Sequence, residues 1–309
     1  MKLVVHDLCA AWTVPDPPEQ YALQFGDRDV SSYITEKNRN EIKNGSILRM
    51  TFSPSRTAQE IMDKLRYTTG MIRQEALRQL VKLSCDHTFA TEFLNKQGKD
   101  YLIQALEQGT IKADEGLGHA LESFVELMNH GICSWDSVHK EFIGKIAHQV
   151  NAAGTTTPTD PKILTHSLAI LESIVTSSSQ LNLLVEAEVT LPSLISHVSQ
   201  NMSHSEIQQN SIALINALFH KSDLSKRKAI AATLSSKHFR NVILNSVINN
   251  VKPLPNCVGS EMAHQLYVLQ SLMFNLWEES MQLRSLATPA IEADAKDKVV
   301  ELRKLAFER

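Results

Sequence analysis

The stretch S-L-A-I-L-E-S-I, residues 167–174, decides the fold, because four similar frames recur along the chain. They are E-A-L-R-Q-L from Glu75, H-A-L-E-S-F-V-E-L from His119, N-S-I-A-L-I-N-A-L from Asn210 and H-Q-L-Y-V-L-Q-S-L from His264. Aligned on Leu77, Leu121, Leu168, Ile212 and Leu266, they are spaced by 44, 47, 44 and 54 residues. A period of about 40–47 residues marks armadillo and HEAT arrays, whose helical units bury their apolar faces only when neighbours stack on them. Around Leu168 one apolar stripe holds Leu164, Leu168, Leu171 and Val175, and a second holds Ile163, Ile170 and Ile174. A helix apolar on more than one side belongs between layers.

The composition suits such an array: Gly and Pro are sparse, aromatics make up 6 % of 309 residues, and helix-forming residues are plentiful. A net charge of −3 gives no electrostatic reason to expect nucleic acid or an acidic membrane surface, so other proteins are the expected partners. Cys9, Cys85, Cys133 and Cys257 form no C-x-x-C pair, and reduced, mostly buried thiols of a cytoplasmic protein are expected. Met1–Trp12 is interrupted by Lys2, His6 and Asp7, unlike a signal peptide. No stretch reaches the ~18–20 uninterrupted apolar residues of a membrane span, so no intrinsic membrane insertion is expected.

The first fifty residues differ from the rest. Lys2 to Trp12 reads as an amphipathic helix with Val4, Val5, Leu8, Cys9 and Trp12 on its apolar side, and prolines 15, 17 and 18 stop it. Tyr21–Phe25, Ser32–Thr35 and Ser46–Phe52 read as short strands, with a tight turn at Asn44-Gly45 before the last. After S-P-S-R at 53–56 the period is helical throughout. Gly98 reads as a break between two helices, N-A-A-G-T-T-T-P-T-D-P as a mobile loop, V-K-P-L-P-N-C-V-G as an interruption, and Ile291–Glu308 as a final charged amphipathic helix.

Catalytic and metal chemistry leave no trace. Twelve histidines include no H-E-x-x-H and no Cys/His set at zinc-ligand spacing, and no Walker loop, G-x-G-x-x-G or G-x-S-x-G occurs. Catalytic residues, metals and cofactors are therefore expected to be absent, and the chain is expected not to be an enzyme. Trp12, Trp135 and Trp277 are expected in the core, with a partner anchor as the alternative. Asn216 and Gln270 stand inside otherwise apolar frames, where an amide either bonds a partner's backbone in a concave groove or is satisfied within its own repeat.

Four stretches add a resemblance. Y-I-T-E-K-N-R-N-E-I-K-N-G-S-I-L-R-M at 33–50, F-V-E-L-M-N-H-G-I-C-S-W-D at 124–136, H-S-L-A-I-L-E-S-I at 166–174 and E-M-A-H-Q-L-Y-V-L-Q at 261–270 look like the amino-terminal half of the engulfment-and-cell-motility (ELMO) family. The resemblance covers essentially the whole chain. It implies a mostly α protein: an armadillo-repeat-like α-solenoid, residues 57–309, preceded by a truncated ubiquitin-like (β-grasp) α/β subdomain, residues 1–53, of the Ras-binding kind. A ubiquitin-like fold opens with a β-hairpin, whereas this chain starts at the helix, which would leave Ser46–Phe52 as an open edge.

The resemblance further implies a scaffold in Rac activation, engulfment, cell migration and actin remodelling. It binds a GTP-loaded small Rho-family GTPase and an adhesion-type receptor cytoplasmic segment, and engages a DOCK-type exchange factor through the carboxyl half. Its armadillo part contributes autoinhibitory contacts, and partners recruit it from the cytoplasm to the plasma membrane. On this reading Lys2 and Val14 are expected at the GTPase contact. Ile170, Asn216 and Gln270 are expected at partner contacts, with Ile170 either facing the partner or lying in the core. The rival reading is an importin-like armadillo adaptor for extended peptide cargo, which would need Trp/Asn pairs recurring with the repeat, and Trp135 and Trp277 do not so recur.

Overall fold

The computed structural model describes residues 1–26, 32–113, 116–152, 160–249 and 259–285, together with Lys298 and Val300. Two compact units divide the chain, Met1–Ser193 and Leu194–Arg309. The expected loop at 153–159, the interruption at 251–258 with Cys257, and the helix at 291–308 apart from Lys298 and Val300 lie outside the described residues.

The first unit opens with helix α1 (Lys2–Ala11) and a two-stranded antiparallel sheet, β1 (Tyr21–Phe25) and β2 (Leu48–Phe52), in the register Tyr21 opposite Phe52 through Phe25 opposite Leu48. The strand expected at Ser32–Thr35 is a single bridge from Tyr33 to Gln24. The turn before β2 sits at Asn44-Gly45, where Gly45 takes φ +93°, a region that favours glycine. Val5 and Cys9 of α1 close over Leu23, Phe25 and Ile34 to make a small core. Among the described residues, β2 pairs with β1 alone.

Ser53 ends this subdomain and starts the helices. Its hydroxyl accepts from Arg56 N–H at 3.4 Å and Pro54 fills the first turn, the combination that begins α2 (Pro54–Tyr67). α3 (Gly70–Ser84), α4 (His87–Asn95), α5 (Gly98–Glu107), α6 (Leu117–Asn129), α7 (Lys140–Ala152), α8 (Pro161–Ser177) and α9 (Asn182–Glu188) follow. Asp86 and Asp160 cap α4 and α8 by accepting from Phe89 and Lys162 N–H. The repeated frames lie on α3, α6 and α8, and these pack in series, α3 on α6 and α6 on α8, while α2 packs on α4 and α7 on α8. Leu77, Leu121 and Leu168 are fully buried. Each such side chain contributes roughly 1.5–3 kcal/mol through the apolar surface it removes from water, which no unit recovers alone. The break at Gly98 has a steric cause: a Cβ there would meet the buried Phe93 ring and lie 2.7 Å from the Phe93 carbonyl.

The second unit takes α10 (Leu191–Gln200) from Leu194 onward, then α11 (Ser205–Lys221), α12 (Leu224–Leu234), α13 (Lys237–Val242) and α14 (Ser260–Ser285). α11 and α14 carry the last two frames and pack on each other. α13 passes directly into a π-helical turn, Ile243–Ile248. The wider turn leaves the Ser246 carbonyl for Gln208, whose buried amide donates to it at 3.0 Å and to the Val198 carbonyl at 2.7 Å.

Candidate interaction surfaces

In the amino-terminal subdomain a cleft of about 510 Å³ runs between α1 and β1, with Lys2, Leu3, Val5 and His6 on one wall and Tyr21, Ala22 and Leu23 on the other. Lys2 and Leu3 are exposed. Val14 is half-buried and packs against the small core beneath, so it braces α1 rather than standing at the surface. Trp12, expected in the core, is 60 % exposed, and Val4 is exposed beside Val5, because among the described residues α1 packs on β1 and the Pro18–Gln20 turn and buries one stripe. The helical layer is joined to the rim of this subdomain by Arg56 of α2. Its guanidinium stacks on Phe52 at 3.7 Å and donates to Asp16 at 2.8 Å. That hydrogen bond, with another from the Tyr21 hydroxyl, holds the Asp16 carboxyl below its usual range.

Beneath them, Tyr33 and Asp86 make a buried connection that sequence reasoning missed. One carboxylate oxygen of Asp86 caps α4, and the other accepts from Tyr33 N–H at 2.8 Å. The Tyr33 hydroxyl meets the Phe52 carbonyl and Thr57 Oγ1, both at 3.2 Å, and burial pushes its phenol up. An Asp before a helix signals a cap, whereas its second partner lies 53 residues upstream and leaves no local signal.

On the solenoid of the first unit, Ile170 does not point outward. It is fully buried with Ile163, Leu164, Leu168, Leu171, Ile174 and Val175, since α8 is packed by α6, α7 and α9 and both apolar stripes are covered. Trp135 is half-buried, edge-on to Phe124 at 5.9 Å. The thiols differ from expectation as well: Cys9 is buried, Cys133 half-buried and Cys85 exposed. Polar groups gather around Glu122, which pairs with Lys162 at 3.3 Å and lies 3.9 Å from His166. His119 nearby is held below the usual imidazole range, by burial first and then by the Lys162 charge. Burial pushes the Glu172 carboxyl up. Among the described residues no group of three or more His, Cys, Asp or Glu side chains could hold a metal ion, and no helix is long and apolar enough to cross a membrane.

In the second unit the two amides part company. Asn216 is buried and donates to the carbonyl and side-chain oxygen of Gln265 on α14, at 2.9 and 3.0 Å, so its N–H groups are committed to the neighbouring helix. Gln270 is exposed and lines a groove of about 660 Å³ between the α13 and π-turn segment and α14, with Phe239, Arg240, Leu244, Phe274 and Trp277. Trp277, expected in the core, is 46 % exposed and edge-on to Phe274 at 5.5 Å.

Comparison with known proteins fits this arrangement. The profile of the ELMO protein N-terminal Ras-binding domain matches residues 1–53, and that of the ELMO armadillo-like helical domain matches residues 88–248. Engulfment and cell motility protein 2 of Homo sapiens is 43 % identical over 308 residues, covering 99 % of this chain and 41 % of that protein. Engulfment and cell motility protein 1 of Homo sapiens is 41 % identical over 319 residues, covering 100 % and 42 %. Engulfment and cell motility protein 3 of Mus musculus is 37 % identical over 307 residues, covering 99 % and 40 %. The chain thus spans about two fifths of the length of the curated relatives it matches. With both domain profiles matched in order on the helix-and-sheet subdomain and the stacked helices, the chain belongs to the ELMO, engulfment and cell motility, family.

Proposed function

We propose that this chain is a non-catalytic regulatory scaffold module in an ELMO/DOCK-type Rac activation pathway, divided functionally into residues 1–53 and 57–309. The first part binds a small Rho-family GTPase in its GTP-loaded form. The second carries contacts to an adhesion-type receptor segment and to the carboxyl half of the scaffold, which engages the exchange factor, and partners draw the protein from the cytoplasm to the plasma membrane. The observation that carries this reading is the Ras-binding profile on residues 1–53, where α1 presents Lys2 and Leu3 along an open cleft. Lys2 contacts the GTPase directly, and Val14 acts by holding α1 on its core. Coupling is a population shift: a partner that prefers the open scaffold releases the exchange-factor half in proportion to its differential affinity.

Immobilised GTPase loaded with a GTP analogue or with GDP tests the first step. Selective retention of the chain by the GTP-analogue form, weakened by Lys2→Glu, is expected. Equal retention by both forms contradicts it.

A further inference from the structure

The corner between α2 and α3 leaves large apolar side chains in water. Tyr67, Met71 and Ile72 are 79, 85 and 59 % exposed, although the two helices bury Leu65 and Leu77 completely. The three side chains fall within residues 67–72. Together they offer on the order of 400 Å², comparable to the ~300–600 Å² of the largest apolar patch on a typical monomer, and a patch of that size marks an interaction site.

The corner is held rather than loose. Thr68 donates its N–H and its hydroxyl to the Lys64 carbonyl, at 3.2 and 2.6 Å. Gly70 takes φ +60° and turns the chain into α3. Arg73 clasps the base: Nε donates to the Thr68 carbonyl at 2.8 Å and Nη1 to the Thr110 carbonyl at 3.0 Å. Tyr67, Met71 and Ile72 therefore stand on a fixed support, and a partner need not order the backbone.

Charge identifies the partner. The chain has a net charge of −3, yet residues 64–74 carry Lys64, Arg66 and Arg73 and no carboxylate. The flanking carboxylates are engaged, Asp63 by the Gln59 amide at 2.9 Å and Glu75 by Arg78 at 3.5 Å. The Tyr101 hydroxyl donates to the Leu65 carbonyl beside the corner. Burial raises this phenol while Arg73 and Arg66 both lower it, so the two guanidinium charges gather there. Exposed apolar side chains, one of them a tyrosine, next to unopposed cations suit the headgroup layer of an anionic membrane. A second copy would set the same cations against each other, and about 400 Å² is half of the ~800 Å² per partner of a standard protein interface.

We propose that this corner rests in an anionic lipid surface, with Tyr67, Met71 and Ile72 at the boundary of headgroups and acyl chains and Lys64 and Arg66 facing the lipid anions. A contact of this size is reversible and marginal by itself. It retains and orients a protein that partners bring to the membrane, and it does not depend on nucleotide-selective GTPase binding.

Sedimentation of residues 1–309 with phosphatidylcholine vesicles, with or without about one third phosphatidylserine, tests the contact with no GTPase present. The parent should pellet with the phosphatidylserine vesicles at about 0.1 M salt and be released at about 1 M, where the Debye length falls from ~10 to ~3 Å. Met71→Asp with Ile72→Asp, and separately Arg66→Glu, should lower the pelleted fraction several-fold at unchanged far-UV helicity, since all three side chains are exposed. Lys228 is an exposed cation of the second unit, and Lys228→Glu, the same change of charge as Arg66→Glu, should pellet as the parent does. Equal pelleting of the parent and the Met71→Asp, Ile72→Asp chain overturns the proposal. An equal loss in Lys228→Glu and Arg66→Glu overturns it in favour of unspecific attraction. A parent that pellets with neither vesicle overturns it and leaves the corner to a protein partner.

Discussion

Replacing Ile170 by Asp asks the structure its sharpest question about the solenoid. Ile170 is fully buried among Leu164, Leu168, Leu171, Ile174 and Val175 on a helix packed by three others. Truncation of such a side chain to Ala costs about 2–5 kcal/mol through lost transfer energy and the cavity left behind, and removal of one methylene in Ile170→Val about 0.5–1.5 kcal/mol. A carboxylate set among these aliphatic side chains adds several more, because it loses its hydration there. For a body the size of Met1–Ser193, each kcal/mol lowers the melting temperature by roughly 2–4 °C. Ile170→Ala should therefore melt about 4–20 °C low, and Ile170→Asp should exceed much of the ~5–15 kcal/mol that holds a domain together. Melts followed by far-UV circular dichroism on all three variants rank them Val, Ala, Asp. An Asp variant that melts within about 2 °C of the parent would show that Ile170 faces outward, and would refute the packing of α8 between α6, α7 and α9.

Three further substitutions probe the connections between elements. Asp86→Ala removes the cap of α4 and leaves Tyr33 N–H buried without its acceptor, about 0.5–2 and 1–3 kcal/mol respectively; amide exchange should accelerate around Tyr33 as well as at the start of α4, and protection unchanged at Tyr33 would argue against the link. Gly98→Ala drives a methyl into Phe93 and its carbonyl, so thermal stability should drop by more than the gain, under about 1 kcal/mol, that the same change gives at an unstrained helix position; a stabilised variant would contradict the close crossing. Glu172→Gln tests a carboxyl whose titration burial raises. The native protein binds that proton more tightly than the unfolded chain, so its stabilising effect is complete at low pH and is lost as pH rises through the raised range. The Gln variant should be the more stable at pH 7 and indistinguishable from the parent in acid, and a pH-independent difference would exclude this cause.

The array was readable from the sequence because one helical frame recurs and its neighbours supply what it cannot bury alone. Ser53-Pro54 marks where the helices begin, and the first strand falls at Tyr21–Phe25 as read from the sequence. What the sequence leaves open is which face of a helix finds a neighbour. The pattern on α1 and α14 puts Trp12 and Trp277 on apolar sides, yet whether such a side is covered depends on elements distant in sequence. Ile170 shows the converse: a second apolar stripe reads equally well as an exposed contact or as the inside of a sandwich, and packing by α6, α7 and α9 decides it. Lys2 and Gln270 lie on open surfaces, whereas Val14, Asn216 and Ile170 are turned toward the interior. The long-range polar contacts, Asp86 to Tyr33 and Gln208 to the π-helical turn, have no periodic signature at all.

The central claim is that residues 1–53 read the nucleotide state of a small GTPase. Hydrogen–deuterium exchange of the whole chain, with a Rho-family GTPase loaded with a GTP analogue or with GDP, tests it most directly. Protection concentrated in α1 and β1, present with the GTP analogue and absent with GDP, is the expected result. Protection confined to the helical units, or identical for the two nucleotides, would contradict it.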